Sequence, residues 1–178
     1  MFCGIIVNME KLNQMDTQLL IVNVKISPTV CAFTGHRIFE ADFSARKLKK
    51  EIISLIEKGV TEFLCGMAIG FDLICAETVI SLKKKWDKIK LIACIPCENQ
   101  ERNYFEADKK RYVKILKKAD EKIYLAKDYY KGCMLTRDRF MADKADVMIA
   151  YCKKDTGGTA YTVRYFKKKY PLKEIIFL

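Results

Sequence analysis

The chain has 178 residues, of which 51% are hydrophobic, so it is long enough for one buried core and short for two independent domains. No apolar run reaches the roughly 18 to 20 residues of a membrane-spanning helix, and the N-terminus lacks the pattern of a secretory signal. We therefore expect a cytoplasmic protein without a membrane partner. The formal net charge of +11 favours anionic partners but does not choose between nucleotides and nucleic acids.

From Thr29 onward, short β-rich runs alternate with longer helical patterns. This alternation is typical of βα units that build a mainly parallel sheet. We predict a Rossmann-like, doubly wound α/β domain over residues 29–178, with five to seven strands and helices on both faces. The predicted strands are Val30 to Phe33, Glu62 to Cys65, Leu91 to Ile95, Lys122 to Leu125, Val147 to Tyr151 and Glu174 to Phe177. The predicted helices are Phe43 to Lys58, Phe71 to Trp86, Glu101 to Lys118, Leu135 to Ala145 and Thr159 to Lys169.

The ends of the chain's first predicted helix carry local signals. Asp42 is the expected N-cap, and Gly59 is expected to end the helix. Residues 1–28 form an N-terminal extension, which is either an extra strand, since Leu19 to Ile26 has a strand-like pattern, or a poorly ordered arm.

The cysteines favour buried, reduced thiols over a disulfide framework. Five of the eight lie inside apolar runs, at Cys31, Cys65, Cys75, Cys94 and Cys152. Since the chain has a single histidine and no repeated CxxC pair, we predict no metal site.

Three glycine-rich segments follow predicted strands, where ligands bind in parallel α/β sheets. Glycine lets backbone N–H groups approach an anion, and the helix that follows adds partial positive charge. The alternative for each segment is a tight turn without a ligand. The segments are Thr34-Gly35-His36-Arg37, Gly66-Met67-Ala68-Ile69-Gly70 and Asp155-Thr156-Gly157-Gly158-Thr159.

Charged residues accompany these glycines. Arg37, Arg137 and Arg139 are candidates for holding a phosphate, because a guanidinium can bind it with two hydrogen bonds. The run Thr136-Arg137-Asp138-Arg139 is equally consistent with ion pairing and capping within a helix. Asp72 is either a helix-capping carboxylate or a contact to a ribose hydroxyl.

Catalytic patterns are sparse. His36 could act as an acid or base or donate a hydrogen bond to a ligand. No Ser-His-Asp arrangement or nucleophile elbow accompanies it. We therefore assign no catalytic residue and retain His36, Asp72 and Glu77 as candidates.

Five motifs occur in order over about residues 30–178: FTGHR, LCGMAIGFDLICAE, IPCENQ, GCMLTRDRFMADKADVMIAY and GGTAYTVRY. Together they resemble the SLOG superfamily, in particular its YoqJ-like branch from bacteria and their prophages. The resemblance implies a Rossmann-like fold related to the DprA DNA-processing proteins and the LOG cytokinin-activating enzymes. It also implies homo-oligomers and binding of nucleotides or NAD-derived signals such as ADP-ribose.

The ligand-binding residues that we expect combine the glycine segments, the charged residues and the IPCENQ motif. They are Thr34, Gly35, His36, Arg37, Gly66, Met67, Ala68, Gly70, Asp72, Pro96, Arg137, Arg139, Gly157, Gly158 and Thr159. In LOG-type hydrolases a glutamate follows the second glycine loop, where this chain has Ala160 to Arg164. Glu77 and Glu98 remain as possible acids.

The favoured function is a binding module that senses or sequesters a nucleotide-derived signal and requires no cofactor. In a prophage such a module would counter host defence by removing the signal, an extension by analogy only. One alternative is a nucleotide or nucleoside-monophosphate N-glycoside hydrolase, and another is single-stranded DNA binding as in DprA.

Overall fold

Six parallel strands form one sheet in residues 29–178, the part of the chain that the computed structural model describes. Across the sheet the strands follow the order β4-β3-β2-β1-β5-β6. The predicted Rossmann-like α/β fold is confirmed, and the N-terminal extension, residues 1–28, lies outside the described residues. The strands are β1 (Val30–Gly35), β2 (Glu62–Cys65), β3 (Lys90–Ile95), β4 (Glu121–Tyr124), β5 (Val147–Tyr151) and β6 (Glu174–Phe177).

Five α-helices and one 3₁₀ helix connect these strands. None of the helices within residues 29–178 has the length and apolar character needed to cross a bilayer. The predicted start of the third helix at Glu101 is wrong, because the chain first forms a 3₁₀ turn, Gln100–Asn103. The α-helices are α1 (Ala45–Glu57), α2 (Phe71–Leu82), α3 (Glu106–Lys118), α4 (Cys133–Lys144) and α5 (Gly157–Lys169).

The direction of the connections changes once, between β1 and β5. The chain moves outward from β1 to β4 through α1, α2 and α3, then returns through α4 to β5 and continues to β6. Right-handed crossovers that run in opposite directions place their helices on opposite faces. Accordingly α1 to α3 share one hydrophobic core with the sheet, and α4 and α5 share the other. Ligands of such sheets bind outside the strand ends at this switch point.

The central strands are buried on both faces, which explains their uninterrupted apolar runs. All seven cysteines in residues 29–178 are free. Cys94 shows the consequence of this environment, since burial raises its pKa to about 12 and keeps the thiol protonated. Cys152, predicted with the buried group, is only half-buried because it lies just beyond β5.

The N-cap of α1 is Ser44 and not Asp42 as predicted. The Ser44 hydroxyl accepts a hydrogen bond from the Lys47 N–H at 3.2 Å. Asp42 lies two residues too early and instead binds Lys153 Nζ at 2.6 Å. Gly59 follows the helix with φ +105°, as expected for a residue that ends one.

Ser44→Ala is expected to lower the free energy of unfolding by about 1 kcal/mol, because the first turn of α1 loses its side-chain acceptor. Asp42→Ala should have a smaller effect, since its ion pair with Lys153 is exposed. Urea denaturation followed by circular dichroism measures both. A larger loss for Asp42→Ala would contradict the assignment of the cap.

Candidate functional site

A crevice of about 410 Å³ opens at the carboxyl ends of the strands, at the switch between β1 and β5. Its walls come from the end of β1, the segment before α2, the 3₁₀ turn, and the first turns of α4 and α5. The lining residues are Phe33, Thr34, Gly35, His36, Arg37, Ala68, Ile69, Asp72, Gln100, Asn103, Tyr104, Met134, Arg137, Asp138, Gly158 and Thr159.

Many of the residues singled out in the sequence meet in this crevice. Those that line it are Thr34, Gly35, His36, Arg37, Ala68, Asp72, Arg137, Gly158 and Thr159. Those that do not are Gly66, Met67, Gly70, Glu77, Pro96, Arg139 and Gly157.

The outlying candidates have identifiable surroundings. Arg139 is exposed on α4. Glu77 faces α3, where its carboxylate accepts a hydrogen bond from Arg111 Nη2 at 2.9 Å. Pro96 is buried directly after β3. A residue that follows a strand in the sequence therefore does not necessarily line the crevice.

Arg137 is a buried cation whose guanidinium is already bound within the protein. Its Nη1 donates to the Gly66 carbonyl, and its Nε donates to Asp138 Oδ1 at 2.8 Å. A Cβ at Gly66 would lie 2.5 Å from Arg137 Nη1 and 2.8 Å from Asp72 Oδ2. Glycine at this position therefore makes room for the arginine, a role different from the approach to an anion that the sequence suggested.

Asp72 is a buried carboxylate at the same place. Burial raises its pKa to about 6, although the positive charge of Arg137 and a hydrogen bond from the Ala68 N–H, at 3.2 Å, act in the opposite direction. For Arg137, burial lowers the pKa, but the charges of Asp138 and Asp72 outweigh it and raise the pKa. The crevice therefore contains a permanent cation beside a carboxyl group that titrates near neutral pH.

The glycines of the first two segments pack the loop after β1 against the start of α2. A Cβ at Gly35 would lie 2.4 Å from the Phe71 ring. Gly70 has φ +84°, and a Cβ there would lie 2.3 Å from the Arg37 carbonyl oxygen. The Phe71 N–H donates to the His36 carbonyl at 3.2 Å. These contacts fix the position of the β1 loop at the crevice.

His36 connects the loops that follow β1 and β5. Its Nε2 accepts a hydrogen bond from the Lys153 N–H at 2.9 Å, so the ring is neutral in this arrangement. Burial, together with the charge of Lys154, lowers the pKa of His36 and favours the neutral form. The bond occupies the lone pair that a general base would use.

Two features of the crevice remain available to an anion. Arg37 is exposed and forms no ion pair within residues 29–178. Helix α5 begins at Gly157, and the side chain of its N-cap, Thr156, makes no capping hydrogen bond. The N–H groups of its first turn are therefore donors without side-chain acceptors.

The 3₁₀ turn supplies lining residues that the sequence analysis did not single out. Gln100 Nε2 donates to the Gly66 carbonyl at 3.1 Å and to the Tyr104 hydroxyl at 3.0 Å. The Tyr104 hydroxyl in turn donates to the carbonyl of Met67, a buried residue with φ +58°. The IPCENQ motif pointed to this segment, but Pro96 was the one ligand-binding residue predicted from it, and Glu98 was kept as a possible acid. No sequence pattern predicted that Asn103 and Met134 would line the crevice.

The fold and the crevice define a Rossmann-like α/β protein with a crevice at the topological switch point, the position at which such sheets bind ligands. A family model described as the YspA SLOG family matches residues 32–176. The chain belongs to this SLOG family, as its motifs predicted.

Related bacterial proteins support the same assignment. A UPF0398 protein of Halalkalibacterium halodurans is 32% identical over 127 residues, which cover 70% of this chain and 67% of that protein. The SPbeta prophage-derived protein YoqJ of Bacillus subtilis is 30% identical over 141 residues, which cover 70% of this chain and 82% of that protein.

Two solved structures share the fold. DNA processing protein A (DprA) from Streptococcus pneumoniae superposes with a TM-score of 0.60 at 19% identity, covering 84% of this chain but only 50% of DprA. DprA from Helicobacter pylori, described for its single-stranded DNA binding mode, has a TM-score of 0.60 at 23% identity. That match covers 91% of this chain and 68% of the H. pylori protein.

Asp72→Asn is expected to change how stability depends on pH. The pKa of Asp72, about 6, lies above that of an unfolded aspartate, so the folded state binds more protons between these values and loses stability as pH rises. From pH 4 to pH 7.5, wild type should lose about 2.4 kcal/mol relative to the variant. Chemical denaturation at both pH values measures this difference. If wild type and variant differ in stability by the same amount at both pH values, the prediction is contradicted.

Gly70→Ala is expected to destabilise the protein more than Gly132→Ala. Both glycines have positive φ, +84° and +99°, but a Cβ at Gly132 meets nothing within 4 Å. The control, Gly132→Ala, should therefore lower stability only by the backbone strain, about 1 to 2 kcal/mol. Gly70→Ala should lower it further, because the new Cβ collides with Arg37. Thermal unfolding measures the ranking, and equal losses would show that the β1 loop yields to the new methyl group.

Proposed function

We propose that the crevice binds a phosphate-bearing, nucleotide-type ligand, and that the protein senses or sequesters this ligand. The observation that carries the proposal is that an exposed arginine without an ion pair in the described residues, Arg37, lines the same crevice as the uncapped first turn of α5.

Each of these features favours a phosphate. A guanidinium can donate two parallel hydrogen bonds to phosphate oxygens. The N–H groups of Gly158 and Thr159 stand at the positive end of a helix of 13 residues. The net charge of +11 raises the concentration of anionic ligands near the protein.

Asp138, which lies beside the start of α5, favours a group that donates hydrogen bonds. Asp138 Oδ1 is bound by Arg137 at 2.8 Å, while Oδ2 lies 3.7 Å from the position of a Cβ at Gly158. A carboxylate oxygen accepts a hydrogen bond from a sugar hydroxyl, while the helix N–H groups remain for the phosphate. Phosphate near Arg37 and sugar near Asp138 together describe a nucleotide.

The surroundings of the candidate acids and bases support binding over hydrolysis. The lone pair of His36 Nε2 is engaged by Lys153. Glu77 lies outside the crevice and binds Arg111. Asp72 is buried and accepts the Ala68 N–H. The enzymatic alternative therefore depends on Asp72 alone among the three.

Arg37→Ala tests the proposal. In isothermal titration against AMP, ADP-ribose, NAD and cyclic dinucleotides, wild type should bind at least one, and the variant should bind it about ten-fold or more weakly because a charge-assisted hydrogen bond is lost. The matched control is Arg46→Ala, an exposed arginine on α1 that does not line the crevice. Mass spectrometry of the recovered ligand separates binding from cleavage. Equal loss in both variants would contradict the placement of the phosphate.

Single-stranded nucleic acid is a second candidate, since exposed aromatic rings and cations lie on the segments that follow β3 and β4. Phe105 is 83% exposed and Tyr129 is 60% exposed, on the loops before α3 and after β4. Arg102 and Lys127 lie on the same two segments. Stacking on exposed rings beside cations is how proteins bind single strands without sequence preference.

Salt dependence distinguishes this candidate. For a single-strand binder, the affinity for a 12-nucleotide oligonucleotide should fall steeply between 50 and 200 mM salt, with a slope of roughly −0.7 per phosphate contact. A slope near −1 would indicate no more than one or two phosphate contacts and favour a mononucleotide ligand. Fluorescence anisotropy of a labelled strand provides the measurement.

A further inference from the structure

A second cavity of about 380 Å³ adjoins the crevice at the same edge of the sheet. The two cavities share three lining residues, Gln100, Asn103 and Met134. The two cavities are therefore neighbours on either side of this shared wall. The remaining lining residues follow β3 and β4: Cys97, Glu98, Asn99, Arg102, Lys127, Asp128 and Tyr129.

The walls of the second cavity are built by hydrogen bonds. The Glu98 N–H donates to the Lys127 carbonyl at 3.1 Å and joins the loops that follow β3 and β4. The Arg102 N–H donates to the carbonyl of Asn99, whose φ is +57°, at 3.1 Å. The cavity therefore has a defined shape between two connected loops.

The shared wall contains an unused acceptor. Gln100 Nε2 must donate to the Gly66 carbonyl, and this fixes the orientation of the amide. The other amide atom, Oε1, is buried and has no hydrogen-bond partner within residues 29–178. A buried acceptor without a donor is costly. A ligand N–H or O–H group that reached the wall would remove this cost.

The chemistry of the second cavity suits an aromatic base with a neighbouring phosphate. Tyr129 offers an exposed ring for stacking. Arg102 and Lys127 form no ion pair in the described residues, so both cations are available to an anion. Glu98 and Asp128 are the acids of the same cavity, and they suit the hydroxyl and N–H donors of a nucleoside.

We propose that this second cavity is a subsite for the second nucleoside of a two-base ligand whose first nucleotide occupies the crevice. The inference rests on the proposed function. The cavities have similar volumes, about 410 and 380 Å³, so the pair is built for two units of comparable size. The ligand class is a base-phosphate-base unit, either a free dinucleotide or the end of a single strand.

The test compares AMP, adenosine 3′,5′-bisphosphate (pAp) and the dinucleotide pApA by isothermal titration, together with the matching guanosine series. For the wild-type protein, pApA should bind about ten-fold tighter than pAp, since stacking of one base on an aromatic ring gives a gain of this order. In Tyr129→Ala this advantage should disappear, while the affinity for the mononucleotide stays unchanged. Tyr130→Ala is the matched control, because Tyr130 is also exposed but does not line the cavity.

The outcomes separate the two proposals. If a mononucleotide binds and Arg37→Ala weakens it, but the dinucleotide binds no tighter than the bisphosphate, the subsite is refuted and the proposed function stands. The same conclusion follows if Tyr129→Ala and Tyr130→Ala have equal effects. If no mononucleotide or dinucleotide of either series binds, the subsite is refuted; the proposed function fails with it when ADP-ribose, NAD and the cyclic dinucleotides do not bind either. When the subsite is present, a 12-nucleotide strand that binds tighter than the dinucleotide assigns it to single strands, and equal affinity assigns it to free dinucleotides.

Discussion

The buried guanidinium of Arg137 is the interaction on which the geometry of the crevice depends. A cation this far from water must be paired and hydrogen-bonded, and removing a partner from such a group is strongly destabilising. One acceptor, the Gly66 carbonyl just after β2, lies 71 residues away in the chain, and the other, Asp138, is the next residue on α4. The arginine therefore joins the start of α4 to the end of β2, at the edge of the sheet where the ligand is proposed to bind.

Several other features follow from this constraint. Gly66 must lack a side chain, because a Cβ would collide with the guanidinium. Gln100 shares the same carbonyl acceptor and so fixes the 3₁₀ turn beside it. The buried charge also stabilises the ionised form of Asp72 against the effect of burial. The guanidinium, the 3₁₀ turn and Asp72 thus meet around Gly66.

The fold could be predicted from the sequence because the alternation of apolar runs and helical patterns reports on the burial of each element. The strands and helices differ from the prediction mainly by a few residues at their ends. The role of the glycines was harder to predict. Gly35, Gly66 and Gly70 match the pattern of anion-binding loops, yet each makes room for a protein group, and only contacts in three dimensions distinguish the two uses.

The crevice itself was only partly predictable. Residues directly after β1 and at the start of α5 reach it, as the rule for parallel sheets indicates. Gln100, Asn103 and Tyr104 reach it because a 3₁₀ turn, and not the predicted helix, follows β3. Arg139 does not reach it, because it lies on the exposed side of α4, whereas Arg137, two residues earlier, is buried. A local sequence pattern does not show which residues in the first turn of a helix face a cleft.

The two kinds of crevice residue have different freedom to change. Substitution of Arg137 would leave Asp138 without its ion-pair partner and the Gly66 carbonyl with Gln100 as its one donor within residues 29–178, so changes in the interior are energetically coupled. Arg37 and Tyr129 are exposed and bind no other side chain of the described residues, so each could be replaced without disturbing the fold. A buried network that maintains the shape of the crevice, with independent side chains at its rim, allows one scaffold to accept different ligands. In this chain the rim presents cations and an aromatic ring, and it is these residues, more than the fold, that should determine what the protein binds.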